Sequence, residues 1–274
     1  MSANENKTIN IQPSQNGYSV YHESRIAHTL QKLRDMGASR LVEVGSHPWA
    51  MTSAFVDDGA FQICATVSAQ EVTNWPDDIG VTASRCQLAT PKGNVATFTN
   101  YSANIERTLF EIEEKPDTVV AAEIIEHLTR SPHIMLLNIN HWLPLGGKLF
   151  ITTPNGAQFS NPLRRGTQTA AYRCNTYERH SYVFTLDGLT DLVKLCGFRI
   201  VEASYWDVIA RTGPSAVYGW LANVPVPYFR EKFKKTLVVV AEKDRDVVEL
   251  ERCPRVYDSR GDWEYVAKNS ADRL

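Results

Sequence analysis

Apolar positions recur along the chain with two periods. Between Tyr18 and Met36, Ile26, Leu30 and Leu33 share one helical face, and Gly37 supplies a C-terminal stop. Short apolar runs then alternate with helical stretches. Leu41–Val44, Phe61–Val67, Val95–Phe98, Thr118–Ala122, Lys148–Thr153, Phe198–Trp206 and Leu237–Ala241 predict strands. Between them lie three predicted helices: Pro48–Val56, a stretch opened by Ser131 and Pro132 that stops before Pro144, and a stretch capped by Thr185 and ended by Gly197. This alternation implies βαβ units and a mostly parallel sheet of the α/β class. Residues 1–15 read as a flexible N-terminal tail, 16–243 as one domain and 244–274 as a peripheral C-terminal tail. Segments 156–184 and 210–235 fit no regular unit. Both flank the carboxyl edge of a strand, where open α/β sheets bind ligands, so both are candidate substrate walls.

Composition removes alternatives. Of 274 residues, 43% are hydrophobic, an ordinary share for a packed core. No apolar run approaches the roughly 20 residues of a transmembrane segment, and Met1–Gln15 is polar, unlike a secretory signal. Cys64, Cys86, Cys174, Cys196 and Cys253 are scattered without a C-x-x-C pair. That argues for a reducing, cytoplasmic compartment and against a disulfide framework or zinc ribbon. The net charge of −2 gives no nucleic-acid signal for the whole molecule.

Candidate chemistry gathers at strand ends. Glu43 lies two residues before Gly45, where a strand opens into a helix through Ser46, His47, Pro48 and Trp49. Backbone N–H groups of such a turn face a ligand's polar groups. Further on, the apolar strand Thr118–Ala122 runs into Glu123-x-x-Glu126-His127-Leu128. A helix then leads through Pro144-x-Gly146-Gly147 to an apolar strand ending Thr153-Pro154-Asn155.

Together these stretches resemble the class I S-adenosylmethionine-dependent methyltransferases, in particular the E-x-x-E-H-L, P-G-G and T-P-N group that includes ubiquinone-pathway and sugar O-methyltransferases. The likeness spans roughly residues 20–243. It implies a Rossmann-like α/β fold: a seven-stranded, mostly parallel sheet with helices on both faces. It also implies S-adenosylmethionine as cofactor. Glu43 then orients the methionine amino group, and Gly45 and Ser46 form the start of the cofactor loop. Asn104 and Ile105, where the family has an aspartate followed by an apolar residue, meet the adenine. Ala122 and Glu123 lie beside the methionine moiety and the donated methyl.

Two departures stand out. The family's loop has three glycines at alternate positions, and here His47 and Trp49 take the second and third. The family's second strand ends in an acid that grips both ribose hydroxyls. Here Cys64 to Ser68 holds none, and the next carboxylate is Glu71. Thr66 or Ser68 offers a neutral hydrogen bond instead, weaker than a charged one by about 1 kcal/mol.

Two catalytic readings remain open. In small-RNA 2′-O-methyltransferases and ubiquinone-pathway enzymes, E-x-x-E-H plus a later histidine binds a divalent ion. The corresponding residues are Glu123, Glu126, His127 and His180, which suit Mn²⁺ or, less well, Mg²⁺. In metal-free relatives a histidine is the general base, and His127 or His180 is then the catalytic residue.

Charge is uneven. Segment 156–184 sets Arg164, Arg165, Arg173 and Arg179 against Glu178. Segment 210–235 sets Arg211, Arg230, Lys232, Lys234 and Lys235 against Glu231. A basic rim on an acidic remainder favours an anionic acceptor. The expected activity is O-methylation of a sugar or other small hydroxylated metabolite. The alternatives are an RNA 2′-O-methyltransferase using a divalent metal, and a catalytically degenerate methyltransferase fold that binds or scaffolds. Val217 to Phe229 is apolar and is followed by basic residues, which leaves a lid, a dimer contact or a membrane surface open.

Overall fold

The computed structural model of the chain describes residues 8–13, 18–69, 80–106, 108–128, 132–158, 182–206, 217, 220–221 and 223–248. In chain order the elements are β1 (Ile9–Ile11), α1 (Tyr18–Asp35), β2 (Arg40–Val44), α2 (Ala50–Asp58), β3 (Gln62–Ala69), β4 (Thr82–Ala89), β5 (Val95–Ala103) and β6 (Thr118–Ala122). A 3-10 turn at Ile125–His127 follows, then α3 (Pro132–Trp142), β7 (Lys148–Pro154), α4 (Leu186–Leu195), β8 (Phe198–Trp206), α5 (Pro227–Phe233) and β9 (Thr236–Lys243).

The strands form one mixed sheet in the order β1-β4-β5-β3-β2-β6-β7-β9-β8. The pairs β2–β3, β3–β5, β2–β6 and β6–β7 are parallel, so these strands all end on one edge. β9 runs antiparallel to both β7 and β8 and therefore begins at that edge. Alternate residues feed two cores. Leu41, Ile63, Val120, Phe150 and Val238 meet Leu33 of α1 and Met51 and Phe55 of α2. Val42, Val119, Ala121, Leu149 and Ile151 meet Ile134 and Leu137 of α3 and Leu189 and Leu192 of α4. The α/β architecture with helices on both faces is as expected.

Among the described residues the sheet has nine strands rather than seven. The seven expected ones are all present, and β4 and β1 extend the β5 side. β4 lies antiparallel along the whole of β5, from Thr82↔Ser102 to Ala89↔Val95. Only Cys86 and Leu88 of its residues are buried, and Thr82, Ser84, Arg85 and Gln87 interrupt it, so no apolar run marks it in the sequence. β1 pairs parallel to β4 through Ile9↔Cys86 and Ile11↔Leu88. Ile9–Ile11, expected in a loose tail, is therefore an edge strand, held by a ladder rather than by its own hydrophobicity. At the other end, residues just past 243 are also docked. Asp244 and Arg245 donate backbone N–H groups to Gly197 O, and Val247 donates to Asn140 Oδ1.

Asn155 closes the T-P-N motif and is fully buried. Its Nδ2 donates to Glu231 O (2.7 Å) and Lys234 O (2.9 Å), and its backbone N donates to Lys235 O (2.8 Å). This side chain pins α5 and the start of β9 to the end of β7. Asn155→Ala should leave both carbonyls short of a donor and cost about 2 kcal/mol. The expected result is a lower urea midpoint, with proteolytic cleavage appearing first within residues 223–235; an unchanged midpoint would mean that Asn155 is not the pin.

Candidate functional site

The carboxyl edge of the central strands carries a buried acidic cluster. Glu43, on β2, is 5% exposed and accepts a hydrogen bond at Oε2 from the Thr52 hydroxyl of α2. Removal from water penalises the ionised carboxyl more than Thr52 and the Arg25 guanidinium favour it. Its pKa is pushed up to about 8. Glu43 is thus largely protonated at neutral pH, and a ligand cation would draw off that proton.

The turn after β2 is built for close approach. Gly45 has φ +83°, and a Cβ placed on it would meet Ile124 Cδ1 at 2.9 Å and Cγ1 at 3.0 Å. Gly45 and Ser46 donate N–H groups back to Val67 O at 2.8 and 3.4 Å, which ties the turn to β3. Ser46 is 2% exposed and its Oγ has no hydrogen-bond partner among the described residues. Trp49 takes a left-handed conformation at the entrance to α2 and packs its ring near Phe98, 6.1 Å between centroids. The bulky residue at a usual glycine position therefore turns away into the α1/α2-side core.

After β6 the chain bends sharply. Glu123 has φ +55°, uncommon for a residue with a side chain, and its backbone N donates to Thr152 O (2.9 Å). Its Oε2 lies 3.7 Å from Arg25 Nη1, with 18% of the side chain exposed. Glu126 is 1% exposed and its Oε2 accepts from the Thr153 hydroxyl (3.0 Å). Burial raises both carboxyl pKa values. The charge of Glu123 pushes Glu126 further up, while Arg25 and Thr152 pull Glu123 down. His127 points outward, 40% exposed, with Nε2 3.9 Å from Glu126 Oε1.

At the ends of β3 and β5, Thr66 donates its hydroxyl to Asn100 Oδ1 (2.9 Å), and Asn100 Nδ2 donates to Ser68 Oγ (3.1 Å). Thr66 and Asn100 are direct partners across β3 and β5. A neutral Thr–Asn–Ser relay thus stands at the strand end where the family has its ribose acid. Asn104, just past β5, accepts the Glu106 N–H at Oδ1 (3.1 Å) and keeps a second lone pair for a donor. Ile105 is buried beside it in the α3/α4-side core.

The expected residues therefore meet along one edge: Glu43, Gly45, Ser46, Thr66, Asn104, Ile105, Ala122 and Glu123 close the adjacent strands β2, β3, β5 and β6. The expected metal quartet does not form among the described residues, where no three His, Cys, Asp or Glu side chains are grouped as ligands. The 3-10 turn sends Glu126 inward and His127 outward. His180 lies outside the described residues, as do Arg164, Arg165, Arg173 and Arg179. Sequence reasoning missed Arg25, Thr52 and Asn100. Arg25 is 6% exposed and follows the i, i+4, i+8 stripe with Thr29 and Leu33, both fully buried; an arginine on an inward stripe was the available signal. His22, half-buried one turn earlier, has its pKa lowered to about 4 by burial and by Arg25.

A family model described as a methyltransferase domain matches residues 20–203. The sequence matches no curated protein. Among solved structures, the chain is similar to a putative methyltransferase of Haloferax volcanii in complex with the Trm112 methyltransferase activator (TM-score 0.52, 13% identity, 84% of this chain and 92% of that one). It is also similar to an S-adenosylmethionine-dependent methyltransferase of Clostridium acetobutylicum (TM-score 0.50, 8% identity, 82% and 92%). The [4+2]-cyclase SpnF aligns comparably (TM-score 0.50, 14% identity, 81% of each chain). At such identities the likeness is one of fold.

The raised carboxyls carry a pH signature. Glu43 holds its proton in the fold up to about pH 8, whereas the unfolded chain loses it near 4.5. Between those values the native state binds more protons, so stability falls as pH rises, by about 1.4 kcal/mol per pH unit for each such carboxyl. Glu123 and Glu126 act in the same direction. Ligand-free protein should lose stability from pH 5 to pH 8, and Glu43→Gln, which can still accept the Thr52 bond, should make that slope shallower. Urea titrations at several pH values measure it; an identical slope in the variant would show that Glu43 is ionised in the fold.

Proposed function

The chain belongs to the class I S-adenosylmethionine-dependent methyltransferase superfamily, and on that premise we propose that it transfers a methyl group from S-adenosylmethionine to a hydroxyl of a sugar or other small, anionic metabolite in a reducing, cytoplasmic compartment. The observation that carries this reading is the pairing of buried Glu43 with the left-handed Gly45 at the end of the central strand. The residues present fit the cofactor. Glu43 is an acid for an ammonium group, Ser46 Oγ is a buried polar atom awaiting a partner, and the Thr66–Asn100–Ser68 relay offers neutral hydrogen bonds to a diol.

When bound, the cofactor supplies an electrophilic methyl on a sulfonium. The chain's own residues do the rest. Glu43 gives up its proton to pair with the amino group, so cofactor affinity should rise from pH 6 to pH 8. Gly45 admits the ligand against the backbone. Asn104 Oδ1 accepts the adenine amino group. His127, at the exposed end of the E-x-x-E-H turn, takes the acceptor's proton. The basic residues Lys232, Lys234 and Lys235 on the rim support an anionic acceptor. Glu126 and His127 face different ways, which supports a base rather than a metal as the activating device.

One observation favours a binding-only protein: Ile124 fills the space that a side chain on Gly45 would take. Calorimetry decides between the readings. S-adenosylmethionine and its demethylated product should each bind at one site, with or without Mn²⁺ or Mg²⁺, and Gly45→Val should abolish binding. His127→Ala should lower turnover by about 10²- to 10⁴-fold with cofactor affinity intact. Heat-silent titrations of the parent would leave the binding-only reading, and chelator-sensitive turnover would restore the metal.

A further inference from the structure

Between β8 and β9 the chain displays an apolar and aromatic face that the chemistry above does not use, beside the basic rim that it does. Val217 is 62% exposed, Trp220 70%, Tyr228 61% and Val226 42%. This face does not hang loose. Backbone bonds from Asn223 to Trp220 O, Val224 to Leu221 O and Phe229 to Val226 O fold it into successive turns. Lys234 Nζ donates to Asn223 Oδ1 (2.9 Å), Phe229 stacks on Phe233 (5.8 Å), and Asn155 fastens Glu231 and Lys234 to the end of β7. The exposed rings are therefore held at the same sheet edge as Glu43 and Glu123.

Charge selects the occupant. Residues 217–235 contain Arg230, Lys232, Lys234 and Lys235 against Glu231, on a chain of net charge −2. Lys232 Nζ, ion-paired with Glu231, lies 5.8 Å from the Tyr228 ring centroid, so the positive charge left over in this segment comes from its remaining basic residues. A second copy meeting this patch through a twofold axis would oppose like charges. A bilayer with anionic headgroups instead offers a boundary layer for Trp220 and Tyr228 and counter-charge for the lysines. We propose that this face docks on the surface of an anionic lipid bilayer without crossing it. The docking stands independently of methyl transfer. If the methyl-transfer reading also holds, the acceptor enters from the membrane–water interface.

Vesicle flotation tests the full chain with phosphatidylcholine alone and with phosphatidylcholine containing about 30% phosphatidylglycerol, at low salt and at about 0.5 M salt. The protein should float with the anionic vesicles at low salt, and not with neutral ones or at high salt. Trp220→Ser, at an exposed position, should keep the parent's circular dichroism and lose on the order of tenfold in binding. Tryptophan quenching by brominated lipid should diminish in Trp220→Phe. Absence of flotation, equal flotation with both vesicle types, or full binding by Trp220→Ser would each overturn the proposal. So would light scattering that shows a Trp220-dependent dimer in place of lipid binding. Titrating the same preparation with the demethylated cofactor reports the cofactor site separately, so failure of one reading is distinguishable from failure of the other.

Discussion

The structure turns on taking carboxyls out of water at the end of a hydrophobic sheet. Glu43, Glu123 and Glu126 lie at the tips of β2 and β6, and the Arg25 guanidinium acts on all three. One positive charge does not offset three ionised carboxyls, and burial pushes the pKa of each of them up. A ligand that brings a cation changes that balance, because it replaces protons with a fixed charge. The left-handed φ of Glu123 fits this account: a conformation costing about 1–3 kcal/mol persists where the backbone bond to Thr152 and the ion pair to Arg25 hold it.

Much of this was legible in the sequence, and the parts that were not share a cause. The strands β2, β6, β7 and β9 are buried on both faces, so each reads as an apolar run. Thr185 announces α4 by its side chain, which accepts the Gly188 N–H as an N-cap should. The strand-end residues Glu43, Gly45 and Glu123 were found because strand ends in a parallel sheet converge on one edge. β4 escaped because one of its faces is solvated, and β1 because its three residues are ordered by a neighbour's ladder. Arg25, Thr52 and Asn100 escaped because each acts across elements far apart in the sequence: Arg25 on Glu123, Thr52 on Glu43 and Asn100 on Thr66. Only tertiary structure creates those pairs.

The added strand also bears on the relay at the ends of β3 and β5. β4 is paired to β5 along its length, with Ser84 opposite Asn100. That contact extends the sheet beyond the strand carrying Asn100 and steadies the residue from its outer side. Asn100 is thereby placed to hold Thr66 and Ser68 in a single relay. The relay is neutral, so no further carboxyl is taken out of water at this edge, and it gives up only the difference between a charged and a neutral hydrogen bond.

Asn155 links the two ends of the argument. In the sequence it closes the T-P-N motif at a strand tip. In the structure its amide is spent on the carbonyls of Glu231 and Lys234, and its Oδ1 on the Ala157 N–H. Its work is to fix α5 relative to the sheet. That helix bears Tyr228 and Lys232, so its distance from the carboxyl edge of the sheet is set by a hydrogen-bonded clamp rather than by a loose tether. A face that only shielded the site from water would gain from mobility, since it must open to admit ligands. A face that meets an external surface gains from rigidity, because the orientation it imposes is transmitted to the residues behind it. The clamp therefore argues that the cap between β8 and β9 sets the orientation of the site toward whatever it touches.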